Sequence, residues 1–131
     1  STFRENIAFN FNDEIIDKEK ITKAVKISGL KHLIDKSPMG LDTSVGVNGL
    51  KLSGGERQRL ALARAIYREP EIFFLDEFTS ALDIQTEEEI FEKIFKYFGD
   101  KTFIIIAHRK SAFKFCNKIY NLEDGELRSD N

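Results

Sequence analysis

Apolar positions recur along this chain with two different periods, and the change from one to the other falls at Pro70. Between Asp17 and Arg68 the spacing is helical. Asp17 can cap a helix whose apolar positions Ile21, Ala24, Val25 and Ile27 share one face before Gly29 stops it. A short second helix is expected around Leu30 to Asp35, and Pro38, Gly40, Gly46 and Gly49 then mark Met39 to Gly49 as a loop between helices. Ser53-Gly54-Gly55-Glu56 has the spacing of a capping box, in which the hydroxyl accepts from a backbone amide three residues on while the carboxylate reaches back. Helix formers follow it as far as Tyr67.

Beyond Pro70 the apolar residues run together. Ile72 to Leu75 and Phe103 to Ile106 are continuous and of strand length, the pattern of parallel strands buried on both faces. The helix expected between them carries Glu87, Glu88 and Glu89 in its first turns and Lys93 and Lys96 later, charges that complement the helix dipole, and Gly99 closes it. Ile90, Phe91, Ile94, Phe95 and Phe98 form its apolar stripe. Strand, helix, strand predicts a right-handed crossover. A further strand near Lys118 to Leu122 should turn at Glu123-Asp124-Gly125-Glu126. The fold class is α/β, with residues 1–70 mainly helical and residues 71–131 supplying the sheet.

Composition narrows the function more by exclusion than by assignment. The 131 residues, 41% hydrophobic and 32% charged, suit one compact core. With 20 basic and 22 acidic residues well mixed and a formal charge of -2, nucleic acid is not an expected partner. No apolar run approaches the roughly 20 residues that cross a bilayer, and Ser1 to Glu5 lacks a signal-peptide layout, so the chain is expected to be soluble. Its one cysteine, Cys116, can form neither an internal disulfide nor a cysteine metal site, which favours a reducing setting and a packing role.

Three places carry candidate chemistry. The paired glycines Gly54 and Gly55 weaken a helix start by about 1 kcal/mol each relative to Ala, which asks for a reason beyond capping. Bare amides at the positive end of a helix form a phosphate site that an anion can approach closely. Asp76 and Glu77 follow the first apolar run, so two carboxylates stand at the carboxyl end of a parallel strand, the edge where open α/β sheets bind ligands. One suits Mg2+, a cation that prefers hard oxygens, and the other suits polarising a water. His108 follows the second run and should reach the same edge, where an imidazole can donate to a phosphate oxygen. His32 has no such company and is taken as structural.

These residues, in this order, resemble the ATP-binding-cassette (ABC) family. Leu52-Ser53-Gly54-Gly55-Glu56-Arg57-Gln58 resembles the family signature LSGGQ, with Glu56 where Gln is commoner. Asp76 and Glu77 match the Walker B aspartate and the catalytic glutamate, Ser80-Ala81-Leu82-Asp83 the D-loop, and His108 the switch histidine. Thr43 to Gly49 resembles the exporter X-loop TEVGERG, which touches the coupling helices of a membrane-spanning partner, although Ser44 and Asn48 replace charged residues there. Thr2 to Phe9 resembles the exporter segment TIRENIAF. The expected fold is thus part of the P-loop NTPase fold of ABC ATPases. Chromosome and repair ATPases of the SMC type, which carry the same motifs on a separate lobe, and a non-catalytic docking cassette are the alternatives. Neither heptads nor basic patches favour the first, and intact Glu77 and His108 argue against the second.

The resemblance implies ATP and Mg2+ as ligands and a head-to-tail pair of cassettes as the working unit. Leu52 to Glu56 would face the γ-phosphate of a nucleotide held by the other cassette. Asp76 would position Mg2+, Glu77 the attacking water and Asp83 the opposite site, and His108 would stabilise the transition state. A Walker A loop needs G-x-x-x-x-G-K-S/T, and none of the eight glycines is followed by Lys. The chain is therefore expected to be an engineered or proteolytic piece that begins after the Q-loop, and to be inactive by itself. The whole protein is expected at the cytoplasmic face of a membrane.

Overall fold

In the computed structural model, which describes residues 1–9 and 15–130, short polar side chains set the helix starts. Asp17 accepts from the amides of Glu19 and Lys20 and opens α2 (Lys18–Ile27). Ser53 opens α4 (Gly54–Arg68) with the expected capping box: its hydroxyl accepts from the Glu56 amide at 3.2 Å, and its own amide donates to the Glu56 carboxylate at 2.7 Å. Thr2 and Glu5 form a second capping box at α1 (Phe3–Ala8), a helix the periodicity did not predict. Its signal was the Thr-x-x-Glu spacing itself. The short α3 (Lys31–Lys36) starts at Leu30 with no side-chain cap. A 3-10 turn at Gly40–Asp42 follows it.

The segment expected as a plain loop is pinned at several points. Ser44 bridges Thr2 and Val45 bridges Leu50, while Arg4 of α1 holds Asp42 through two hydrogen bonds of 2.9 and 3.2 Å. Thr43 and Val45 point into the core, but Val47 is 96% exposed. Gly49 is required by close approach, since a Cβ there would lie 2.3 Å from the Ser44 carbonyl oxygen.

Strands β1 (Ile72–Asp76) and β2 (Thr102–Ile106) pair in parallel, with Ile72 opposite Thr102 and Asp76 opposite Ile106. Helix α5 (Ile84–Phe98) makes the crossover between them. Phe73 stacks on Phe103 at 4.8 Å and meets Phe98 of α5 at 5.3 Å, so one face of this sheet is filled by aromatic rings. The other face departs from expectation. Ile72, Phe74, Ile104 and Ile106 are exposed, because among the described residues helices cover one side of the two strands only.

The charge pattern expected of α5 holds, with Glu87 in its first turn and Lys96 in its last, but its acidic side chains differ in exposure. Glu88 and Glu89 reach the surface, but Glu87 is completely buried. Past a 3-10 segment at Lys110–Phe115, β3 (Tyr120–Glu123) and β4 (Glu126–Ser129) form their own antiparallel pair. Asp124 and Gly125 both have positive φ, 51° and 83°, as a type I′ turn demands.

One buried cluster gathers residues from both parts of the chain, among them Ile7, Ile27, Leu30, Ile66, Phe73, Ile90 and Ile94. Basic residues of α4 reinforce it at its rim. Arg64 donates to the Asn6 carbonyl and side chain at 3.0 and 2.7 Å, and Arg68 to the Ala8 carbonyl at 3.2 Å, satisfying carbonyls at the end of α1. Glu69, in the left-handed conformation that ends α4, accepts from Lys23 at 2.9 Å and lies 3.2 Å from Lys20, both on α2. These two ammonium groups hold its carboxyl below the usual range.

Candidate functional site

Because β1 and β2 run in the same direction, the residues that follow them emerge at one edge. The Glu77 amide extends the ladder by donating to the Ile106 carbonyl at 2.9 Å. Its side chain then meets the second strand's continuation: Oε1 lies 2.7 Å from Nε2 of His108. Glu77 has φ of 45°, a left-handed backbone that is costly for a residue with a Cβ and concentrates at functional sites. From there the chain folds back, with the Ser80 amide donating to the Glu77 carbonyl at 3.1 Å and the Leu82 amide to the Thr79 carbonyl at 2.9 Å.

Asp76, the last residue of β1, is exposed, and among the described residues its carboxylate takes part in no hydrogen bond or ion pair. No group of three or more His, Cys, Asp or Glu able to hold a metal occurs among those residues. A single free carboxylate of this kind fits Mg2+, which commonly takes one or two carboxylates and completes its shell with phosphate and water.

Helix α4 packs directly on this loop. Gln58 donates to Ser80 Oγ at 2.7 Å and to the Glu77 carbonyl at 3.3 Å, and accepts from the Ala81 amide at 3.0 Å. A Cβ on Gly55 would come within 3.0 Å of Leu82 Cδ2 and 3.1 Å of the Ala81 carbonyl, whereas one on Gly54 would meet nothing nearer than 3.4 Å. The two glycines therefore differ. Gly55 is tightly packed against the loop, whereas Gly54 has room for a side chain within the chain.

Several candidate residues already have local partners. The Ser53 hydroxyl and Glu56 carboxylate satisfy each other's backbone amides, and the Leu52 carbonyl accepts from Arg57 at 2.7 Å. Asp83 caps α5, accepting from the Thr86 hydroxyl at 2.7 Å and the Thr86 amide at 2.9 Å, which lowers its carboxyl below the usual range. His32 is exposed on α3, away from this edge. Cys116 is half-buried, donates weakly to the Ala112 carbonyl and is shifted upward by burial, in keeping with packing.

Sequence reasoning placed Gln58 only in the signature stretch and Glu87 only among the charges of the helix start, foreseeing the tertiary contacts of neither, and it assigned no part to Arg109. Arg109, next to His108, donates to the Leu82 carbonyl at 2.6 Å and the Ser80 carbonyl at 3.1 Å. The signal for Glu87 was available: it stands three, four and seven residues before Ile90, Phe91 and Ile94, on the apolar face.

A family model described as ABC transporter matches residues 1–80. The chain is 39% identical over 127 residues to ABC transporter B family member 21 of Arabidopsis thaliana, covering 97% of this chain and 10% of that protein. It is 42% identical over 127 residues to the ATP-dependent lipid A-core flippase of Haemophilus influenzae, covering 97% of this chain and 22% of that protein. The structure of a bacterial Atm1-family ABC exporter with ATP bound superposes with a TM-score of 0.84 at 39% identity, over 96% of this chain and 22% of that one. The chain thus spans between a tenth and a quarter of the length of these relatives.

Proposed function

This chain belongs to the ABC transporter family, with the fold of part of an ABC ATPase, and on that premise we propose that it is the carboxyl-side part of an exporter's nucleotide-binding domain. In this reading residues 1–70 provide the helical part, the X-loop and the signature helix. Residues 71–131 provide the core segment with Asp76, Glu77, Asp83 and His108. The observation that carries the proposal is the pairing of His108 with Glu77 at the end of β1, on a loop held by the signature helix through Gln58. The names of the relatives, transporters and flippases, support the exporter branch over the chromosome and repair ATPases.

The chemistry follows from the placement of each group. Glu77 accepts a hydrogen bond from the attacking water, and His108 holds that carboxylate in one orientation and can donate to a phosphate oxygen. Mg2+ at Asp76, when bound with nucleotide, would neutralise phosphate charge. Ser53, Gly54, Gly55 and their flanking Leu52 and Glu56 form an anion site at the start of α4 for a nucleotide held by a second cassette. Asp83, whose carboxylate caps α5, would stand at the boundary with that second site. No helix among the described residues is long and apolar enough to cross a membrane. The relatives named as transporters and flippases support attachment to a transmembrane domain, met at the cytoplasmic face through Thr43 to Gly49, whose tip presents the exposed Val47.

In the whole protein, Glu77→Gln is expected to leave ATP binding intact and to stop turnover. A phosphate-release rate close to that of the unmodified protein would defeat the assignment. For the 131-residue chain by itself, calorimetry with MgATP is expected to show no tight binding and no hydrolysis, since the loop that cradles the β- and γ-phosphates is not among its residues. Micromolar affinity would contradict this.

A further inference from the structure

Glu87 is a carboxylate with no exposed surface, one turn into α5. Burying such a group is costly unless its oxygens find donors, and an apolar side chain of similar size would fill the space without that cost. Here the donors come from the loop after β1 and from the 3-10 segment after His108. Oε1 accepts from Thr79 Oγ1 at 2.6 Å, and Oε2 accepts from Ser111 Oγ at 2.7 Å. Arg109 Nη1 stands 3.9 Å from Oε2, and the same guanidinium donates to the Leu82 and Ser80 carbonyls.

We infer that Glu87 is a positioning residue which, through Thr79, Ser111 and Arg109, fastens the loop that ends at Asp83 to the segment that begins at His108. Thr79 opens the stretch leading to Asp83, while Arg109 and Ser111 directly follow His108. A displacement of His108 is thereby transmitted to Leu82 and Asp83, because both segments hold the same carboxylate and Arg109 spans the gap between them. The inference rests on the proposed ATPase reading of Glu77 and His108. It adds to that reading a connection between the residue beside the water and the residue at the cassette boundary.

The test is made in the whole transporter, by phosphate release and by nucleotide affinity, with Glu77→Gln as reference. Glu87→Ala is expected to lower kcat by roughly tenfold or more while nucleotide affinity changes by no more than about twofold. Glu87→Gln is expected to recover most of that loss. Its carbonyl still accepts from Thr79, and the Ser111 hydroxyl can turn to accept from the amide. Thr79→Val and Ser111→Ala, which keep the carboxylate and carry the test should Glu87→Ala fail to fold, are expected to be non-additive in kcat. Unchanged turnover in Glu87→Ala, no recovery in Glu87→Gln, or additive losses in the double variant would each overturn the inference. Should Glu77→Gln turn over normally, the ATPase reading itself fails, whatever Glu87 does.

Discussion

His108 Nε2 and Glu77 Oε1 stand 2.7 Å apart, joining the continuations of two strands that the sequence separates by a complete helix. The imidazole meets the carboxylate at the sheet edge, a contact that suits it to orient Glu77. A base that needs orienting loses rate, not affinity, when its orienting partner is removed. In the whole protein, His108→Ala is expected to reduce turnover by about 10²-fold with ATP affinity unchanged, measured by steady-state phosphate release beside equilibrium nucleotide binding. A parallel loss of affinity would assign His108 to binding instead.

Gly55 and Gly54 are expected to respond differently to the same added methyl group. Gly55→Ala brings a Cβ to 3.0 Å from Leu82 and 3.1 Å from the Ala81 carbonyl. Overpacking costs about 1–3 kcal/mol against a helix-propensity gain of about 1 kcal/mol, and since the Ala81 contact is to backbone the balance is expected to fall on the side of loss. Urea unfolding of the chain should register a net loss for Gly55→Ala and none for Gly54→Ala. If a phosphate approaches over Gly54, Gly54→Ala in the whole protein lowers activity without lowering stability.

Gln58 satisfies the Ala81 amide and the Ser80 hydroxyl together. Gln58→Leu removes these bonds, and the longer one to the Glu77 carbonyl, at a half-exposed position and is expected to cost about 1–2 kcal/mol. Amide hydrogen exchange offers a local reading: Ala81 should exchange faster in the variant, while amides inside α2 remain as protected as before.

Acid is expected to loosen the junction between α2 and the end of α4. The Glu69 carboxyl is held below its usual range by Lys23 and Lys20, so its folded-state value lies beneath its unfolded one. Its stabilising contribution is complete above the usual carboxylate range, about 4.3, and is lost as pH falls through the lowered value. The partial exposure of these groups keeps the effect small. Unfolding curves between about pH 6 and pH 2 should show a gap between the unmodified chain and Glu69→Gln that closes toward acid. A gap that is constant with pH would assign the effect to packing.

Much of this arrangement was legible in the sequence because it is set by neighbours along the chain. The caps at Asp17 and Ser53 depend on a side chain and the amides two or three residues on, and both appear as the spacing requires. The Asp124-Gly125 turn and the two apolar runs are local in the same way. The Thr2-Glu5 box was equally local but stood outside the stretch where helical periodicity was sought. Where expectation and structure part, the cause is distance. A continuous apolar run cannot state whether both of its faces will be covered, and here Phe74 and Ile104 are exposed while Phe73 is buried.

The sequence alone determined which residue types stand at the sheet edge, since Asp76, Glu77 and His108 each end or follow an apolar run and parallel pairing brings run ends together. It also determined that a capped, glycine-bearing helix precedes them. Only the tertiary structure decided how these parts hold one another. Gln58 reaches across to Ser80 and Ala81, Gly55 is closely approached by Ala81 and Leu82, and Glu87 is held in the interior by donors from a loop and from the 3-10 segment after His108. Such contacts depend on where separate elements come to rest against a shared core. A charge placed on a helix by sequence is solvated or buried according to what the rest of the chain packs against it.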